Sequence, residues 1–271
     1  MRVPLYKLLF LAAFIISAPS SQASVILLED DFDSLTVGSQ INGTNGWTIF
    51  SEVSVDTGSG TQTTRVADVT GIGGSGNAAH YVDSNNDGTV SNMRVRQGDI
   101  GWDPSSTGTI AFDLYVDTFI GGGISFFGNE ETQQDGIFLQ IARNDGAIRN
   151  RNSTGAYDEL GAAGTISTGQ WYHYELRDIS LTDSHYDLVV SEGVGGSATI
   201  VAQQNDLEFR GSISELIRFD WGSNTSNGAQ GADLYLDNFL VTSAVPEPAT
   251  VFVMLGLVGC AFFLRRRMLA S

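Results

Sequence analysis

The sequence predicts an all-β protein, an antiparallel sandwich of short strands, and three observations carry that prediction. Between Ser24 and Ala244 no apolar period of 3.6 residues is sustained. Short runs of β-branched, aromatic and aliphatic residues recur instead, separated by clusters of Gly, Asn, Asp and Ser. Glycine is frequent, and Pro104 is the single proline of that stretch. Many short strands at near-regular spacing are the pattern of two packed antiparallel sheets.

Taken in order, the expected strands are Val25–Phe32, Trp47–Val55, Ala78–Val82, Val90–Arg96, Thr109–Val116, Gly123–Phe127, Ile137–Arg143, Trp171–Arg177, Tyr186–Ser191, Thr199–Gln203, Ile213–Trp221 and Leu234–Val241. Asn144-Asp145-Gly146 between Ile141 and Ile148 reads as a hairpin turn. The Gly/Ser/Thr/Asn-rich stretches 57–77 and 222–231 read as long loops of one domain, because strand pattern resumes directly after each. In the strand around Trp171, alternation turns Tyr172, Tyr174 and Leu176 inward and His173 to solvent.

The two ends differ from the body. Arg2 and Lys7, the apolar stretch Leu8–Ile16 and the small-x-small site Ser21-Gln22-Ala23 read as a cleaved signal peptide with its helix, residues 1–23. At the other end, residues 245–271 hold Pro246-Glu247-Pro248, the uncharged span Ala249–Leu264, and Arg265-Arg266-Arg267. As a helix those 16 residues span about 24 Å, and Met268, Leu269 and snorkelling arginines extend the reach toward a hydrocarbon core of about 30 Å. Three arginines after a transmembrane helix stay on the cytoplasmic side, which leaves the body outside.

The body, 24–244, has 221 residues, enough for a hydrophobic core without staples. Cys260, in the apolar tail, is the one cysteine, so the body has neither disulfide nor thiol chemistry. The chain holds 14 basic and 31 acidic residues; without the two ends the body keeps 9 arginines, no lysine and 30 acidic residues, a charge near −21. Nucleic acid and anionic membrane surfaces are poor partners for such a field, which leaves divalent cations, neutral glycans and cationic surfaces. Without lysine, Ser-Lys and Schiff-base chemistry are excluded too.

The tail, with Pro246, Glu247 and Pro248 ahead of the span and Arg265, Arg266 and Arg267 behind it, resembles the PEP-CTERM sorting signal of Gram-negative bacteria. The resemblance implies export, transient membrane anchoring, processing by an exosortase-type membrane protease, and delivery to the cell surface or extracellular matrix. Three segments of the body carry a second resemblance: Asp31-Phe32-Asp33 with Asn45-Gly46-Trp47, Gly169-Gln170-Trp171-Tyr172-His173, and Asp237-Asn238-Phe239. They resemble the concanavalin-like and laminin-G-like jelly-roll sandwiches, which implies a jelly roll in which sugar or calcium binding is common.

The candidate sites follow. Glu29-Asp30-Asp31-Phe32-Asp33 is the nearest approach to a glycosidase strand, in which alternate carboxylates share a groove, but it ends in Asp and lies at the start of the body. The expectation is therefore no catalysis. His80, His173 and His185 form no short-range ligand pair for a transition metal. Two sites suit calcium. Asp83, Asn85 and Asp87 alternate before Gly88, but Arg94 stands where a bidentate Glu closes such a loop. The jelly-roll resemblance implies a second site, in which Asp31 or Asp33 after the first strand meets Asp237 on the last. Among Trp47, Trp102, Trp171 and Trp221, Trp171 and Trp221 read as core, and Trp102, in a Gly-Trp-Asp-Pro loop, as the exposed sugar platform. The function expected is an exported, non-catalytic surface protein contacting extracellular polysaccharide; the alternatives are a glycan hydrolase and a purely structural calcium-stabilised module.

Overall fold

The computed structural model describes residues 23–51, 62–83, 93–98, 100–118, 124–129, 136–141, 145–196, 199–223 and 232–245. The signal peptide, the sorting motif, the apolar span and the loop residues Asn85 and Asp87 lie outside the described residues. Among the described residues no helix is long and apolar enough to cross a membrane.

Among the described residues fifteen strands form two antiparallel sheets: β1 Ala23–Asp30, β2 Trp47–Ser51, β3 Gln62–Asp68, β4 Asn77–Asp83, β5 Met93–Gln97, β6 Thr107–Thr118, β7 Ile124–Asn129, β8 Gly136–Ile141, β9 Ile148–Arg151, β10 Tyr157–Gly161, β11 Gln170–Ser180, β12 His185–Glu192, β13 Ile200–Glu208, β14 Arg218–Ser223 and β15 Ala232–Val245. One sheet has eight strands in the order β13-β12-β11-β6-β15-β4-β3, with β1 also pairing β15. The other has seven, in the order β10-β9-β8-β7-β14-β5-β2.

The antiparallel sandwich expected from the sequence is the architecture found, and each expected strand has its counterpart. The differences lie in the polar stretches. Part of the 57–77 loop is strand β3, paired with β4 from Gln62↔Asp83 to Asp68↔Asn77. Its apolar content is only Val66 and Ala67, and cross-strand pairing, not burial, holds most of it. The Asp145-Gly146 turn does lead from β8 into β9, and the short polar strand β10 then extends the sheet edge. The run expected from Ile213 pairs only from Arg218, although Ile213 and Leu216 are buried before it.

The core lies between the sheets, and aromatic rings join them. Phe219 of β14 meets Phe239 of β15 edge to face, with centroids 5.3 Å apart. Phe239 also meets Trp47 at 5.5 Å, and Phe112 stacks on Tyr174 at 5.0 Å. Tyr172, Tyr174 and Leu176 all face this core, as alternation requires. Trp171 is buried too, but on the opposite face of its sheet, where it packs with Val69, Ala78 and Tyr115 and donates Nε1–H to the Ile72 carbonyl at 3.0 Å.

Two bulges flank β6. Along β15 the register passes from Asp237↔Asp113 to Leu240↔Ala111, so one extra residue is inserted; Asn238 takes it up in the left-handed region at φ 49°. The insertion reverses parity, so Leu236 and Phe239 both face the core. Asp178, at φ 48°, does the same in β11 for Leu176 and Ile179.

Candidate functional site

The first polar cluster grows from the end of β1. Asp30 is buried and accepts hydrogen bonds from Trp47 Nε1 at 2.7 Å and from the Phe32 amide at 2.9 Å. It thereby anchors the first strand to the start of β2. Phe32 is left-handed at φ 56°, and β1 has ended at Asp30. The alternation that a glycosidase strand needs over Glu29, Asp31 and Asp33 is thus broken. Asp31 and Asp33 are exposed; Asp31 Oδ1 accepts the Asp33 amide, and Asp33 Oδ1 accepts the Asn77 amide at 2.6 Å.

Asp237 is 1% exposed. Burial pushes its carboxyl up to about 7; a hydrogen bond from the Asn238 amide opposes the shift, and the charges of Asp113, Asp33 and Asp31 add to it. The first and last strands therefore do bring Asp31 and Asp33 within electrostatic reach of Asp237. Their oxygens suit calcium in kind. As the side chains stand, no group of three or more His, Cys, Asp or Glu is gathered among the described residues. Asp83 closes β4, and the rest of its loop is outside the described residues.

Beside Asp237 stands a histidine that sequence alternation turns to solvent. Its strand position is outward, yet Nδ1 lies 2.7 Å from Oδ1 of Asp113, which is fully buried. Asp113 also accepts from Asn238 Nδ2 at 2.7 Å and from the Gly195 amide at 3.1 Å. Gly196 packs onto the imidazole: a Cβ there would come 2.8 Å from His173 Cδ2, so this close approach requires glycine. The carboxylate holds the imidazole in one orientation. Ser191 is the register neighbour of His173 on β12 but is only 3% exposed, closed to a substrate. A second pair, His80 Nε2 to Asp233 Oδ1 at 2.7 Å, has its ring stacked on Tyr235 at 4.1 Å. Ring faces turned to each other offer no flat platform.

Trp102 is not exposed. It is 4% accessible and fills the space above Gly108, where a Cβ would fall 2.5 Å from Cη2 of the indole. The loop folds the indole over the start of β6, which removes the expected sugar platform.

The outer face of the seven-stranded sheet carries the exposed aromatic that sequence reading missed. Registers align Tyr157 with Arg151, and Phe138 with Phe127, on neighbouring strands. Tyr157 is 47% exposed and stands edge-on to Phe138, with centroids 6.2 Å apart. The Arg151 guanidinium lies 5.9 Å from the Phe138 centroid and 5.8 Å from that of Tyr157. Arg210 lies 5.6 Å from the same Phe138 ring. Arg149 is held by Asp145, Nη2 to Oδ2 at 2.8 Å, and that hydrogen bond raises the guanidinium further above its ordinary value. Past Tyr157, where the edges of β10 and β13 meet, a cleft of ≈ 460 Å³ is lined by Asn152, Thr154, Asp158, Glu159, Gln204 and Glu208 among others.

Residues 244–267 match the PEP-CTERM protein-sorting motif. No curated protein sequence matches the chain. Among solved structures, the chain is similar to a carbohydrate esterase from the Shiga toxin-encoding bacteriophage phi24B, at 13% identity and a TM-score of 0.52, over 82% of this chain and 100% of that one. It is similar also to the catalytic domain of a glycoside hydrolase family 131 protein from Coprinopsis cinerea, at 10% identity and a TM-score of 0.52, over 82% and 98%. Lectin II from Ulex europaeus superposes at 12% identity and a TM-score of 0.47, over 83% and 100%. At such identities the likeness is one of fold, the two-sheet jelly roll, and a fold does not fix a function.

Proposed function

We propose that this chain is an exported protein of the bacterial envelope or matrix, a non-catalytic sandwich that contacts extracellular polysaccharide through the outer face of its seven-stranded sheet. The sorting motif supports export and processing by an exosortase. One observation carries the binding role: half-exposed Tyr157, set edge-on to Phe138 with the Arg151 guanidinium beside both rings. An exposed aromatic of fixed orientation stacks on a sugar face, and the amides and carboxylates of the adjoining cleft suit its hydroxyl groups. Binding should be read on a glycan array with the full-length chain in mild detergent. Tyr157→Ala should weaken the strongest signal about tenfold, roughly 1.4 kcal/mol, the scale of one aromatic contact. Undiminished binding by that variant would place the contact elsewhere.

Absence of catalysis belongs to the same reading. The best-oriented histidine, His173, has its Asp113 partner fully buried and its neighbouring serine closed off. A hydrolase remains the rival reading, and turnover of any array glycan would establish it. A calcium-stabilised structural module is a second alternative, favoured by one observation: the Asp237 carboxyl is pushed up to about 7, by burial first and then by the charges of Asp113, Asp33 and Asp31. A divalent ion would relieve the same repulsion, provided that Asp31 and Asp33 turn toward Asp237.

A further inference from the structure

We infer that the polysaccharide held by the seven-stranded face is anionic, bearing carboxylate or sulfate groups; this rests on the glycan-contacting role proposed above for that face. The argument starts from an uneven charge distribution. The strands of the eight-stranded sheet contain two arginines and fourteen acidic residues, a net −12. Those of the seven-stranded sheet contain five arginines and three acidic residues, a net +2. In a body near −21, the one sheet of positive sign therefore carries the exposed aromatic.

Arg151, the register partner of Tyr157, is the cation beside the exposed ring. Its Nε donates to the Gly155 carbonyl at 3.2 Å, which fixes the guanidinium, and among the described residues no carboxylate pairs with it. The two terminal nitrogens keep the planar fork that matches a carboxylate or sulfate with two parallel hydrogen bonds. Arg210 lies over the same Phe138 ring, 5.6 Å from its centroid. The carboxylates of the neighbouring cleft, Asp158, Glu159, Asp206 and Glu208, repel acid groups, which sets the acid groups on the arginine side of Tyr157 and neutral hydroxyls in the cleft.

Matched polymer pairs test this on the full-length chain in mild detergent: polygalacturonate against its carboxyl-reduced form, and dextran sulfate against dextran. The anionic member of each pair should bind about tenfold more tightly, and that margin should shrink as salt rises from about 50 to about 300 mM. Arg151→Gln should abolish the margin, and Arg177→Gln on the opposite sheet should leave the margin in place. Tyr157→Ala should weaken both members of a pair. Equal binding of charged and neutral members would overturn the anionic inference yet leave glycan contact standing. Binding of neither member of either pair would remove both. A margin that survives Arg151→Gln but falls with Arg177→Gln would assign the charge effect to the wrong sheet and sink the proposal.

Discussion

Single residues show where burial overrides alternation. Tyr174 faces the core as its strand position requires, and its hydroxyl has no hydrogen-bond partner there. Tyr174→Ala should cost about 3–5 kcal/mol, whereas Tyr174→Phe removes only an unsatisfied buried group and should leave the melting temperature unchanged or higher. His173 would be a dispensable surface residue on alternation alone. Its contact with buried Asp113 changes that, and His173→Ala should cost about 1–3 kcal/mol by stripping a donor from a buried carboxylate. Thermal unfolding of the three variants separates these outcomes. Asp237 adds a pH dependence. Its ordinary value of 3.8 is pushed up to about 7, so the folded chain binds that proton more tightly than the unfolded chain does. The stability contributed by the proton is complete below about pH 4 and is lost as the pH rises through about 7. The melting temperature should fall from about pH 5 to about pH 8, and Asp237→Asn should flatten that slope. Saturating calcium should flatten it equally if a cation takes the place of the proton, and a slope indifferent to calcium would end the cation reading.

At the scale of the element, the last strand does two things at once. The bulge at Asn238 turns Phe239 into the aromatic core while its amide reaches Asp113. Replacement by glycine keeps the left-handed backbone and loses only the amide; replacement by alanine adds about 1–2 kcal/mol for the left-handed Cβ. The expected order of stability is therefore wild type, Asn238→Gly, Asn238→Ala, and an alanine variant as stable as the glycine one would show that the bulge relaxes. The motif Asp237-Asn238-Phe239 is visible as a string of residues, but its meaning is a register shift between β15 and β6, which no count along one strand contains. Strand β3 makes the same point from the other side. Its residues Gln62 to Arg65 have no apolar pattern, and they pair because β4 leaves an open ladder beside them.

For the whole molecule, the chain divides into a sorting tail and a two-sheet body. Pro246, Glu247 and Pro248 lie within the matched sorting motif. Replacing Glu247 and Pro248 by alanine should leave an uncleaved form in the membrane fraction. Processing and release like wild type, followed by immunoblot of the fractions, would refute the role of those residues. The body shows a sheet of net +2 against one of net −12, and so a face and a back. Export and orientation depend on short contiguous signals; recognition depends on which strands become neighbours.

That division also separates what was legible from what was not. The sequence by itself determined the β class, because alternation and turn chemistry are local. It determined the sorting tail, because a motif, an apolar span and a basic stop are contiguous. Only the tertiary structure decided that Asp30 is the buried partner of Trp47, that Trp102 folds under cover, and that Tyr157 is the aromatic left in the open. Trp102 and Tyr157 sit in equally polar stretches, flanked by Asp and by turn residues, so no local pattern tells them apart. Their exposure is set by what packs above them: a glycine gap on β6 that admits the indole, and an edge strand that leaves one face of the phenol to solvent.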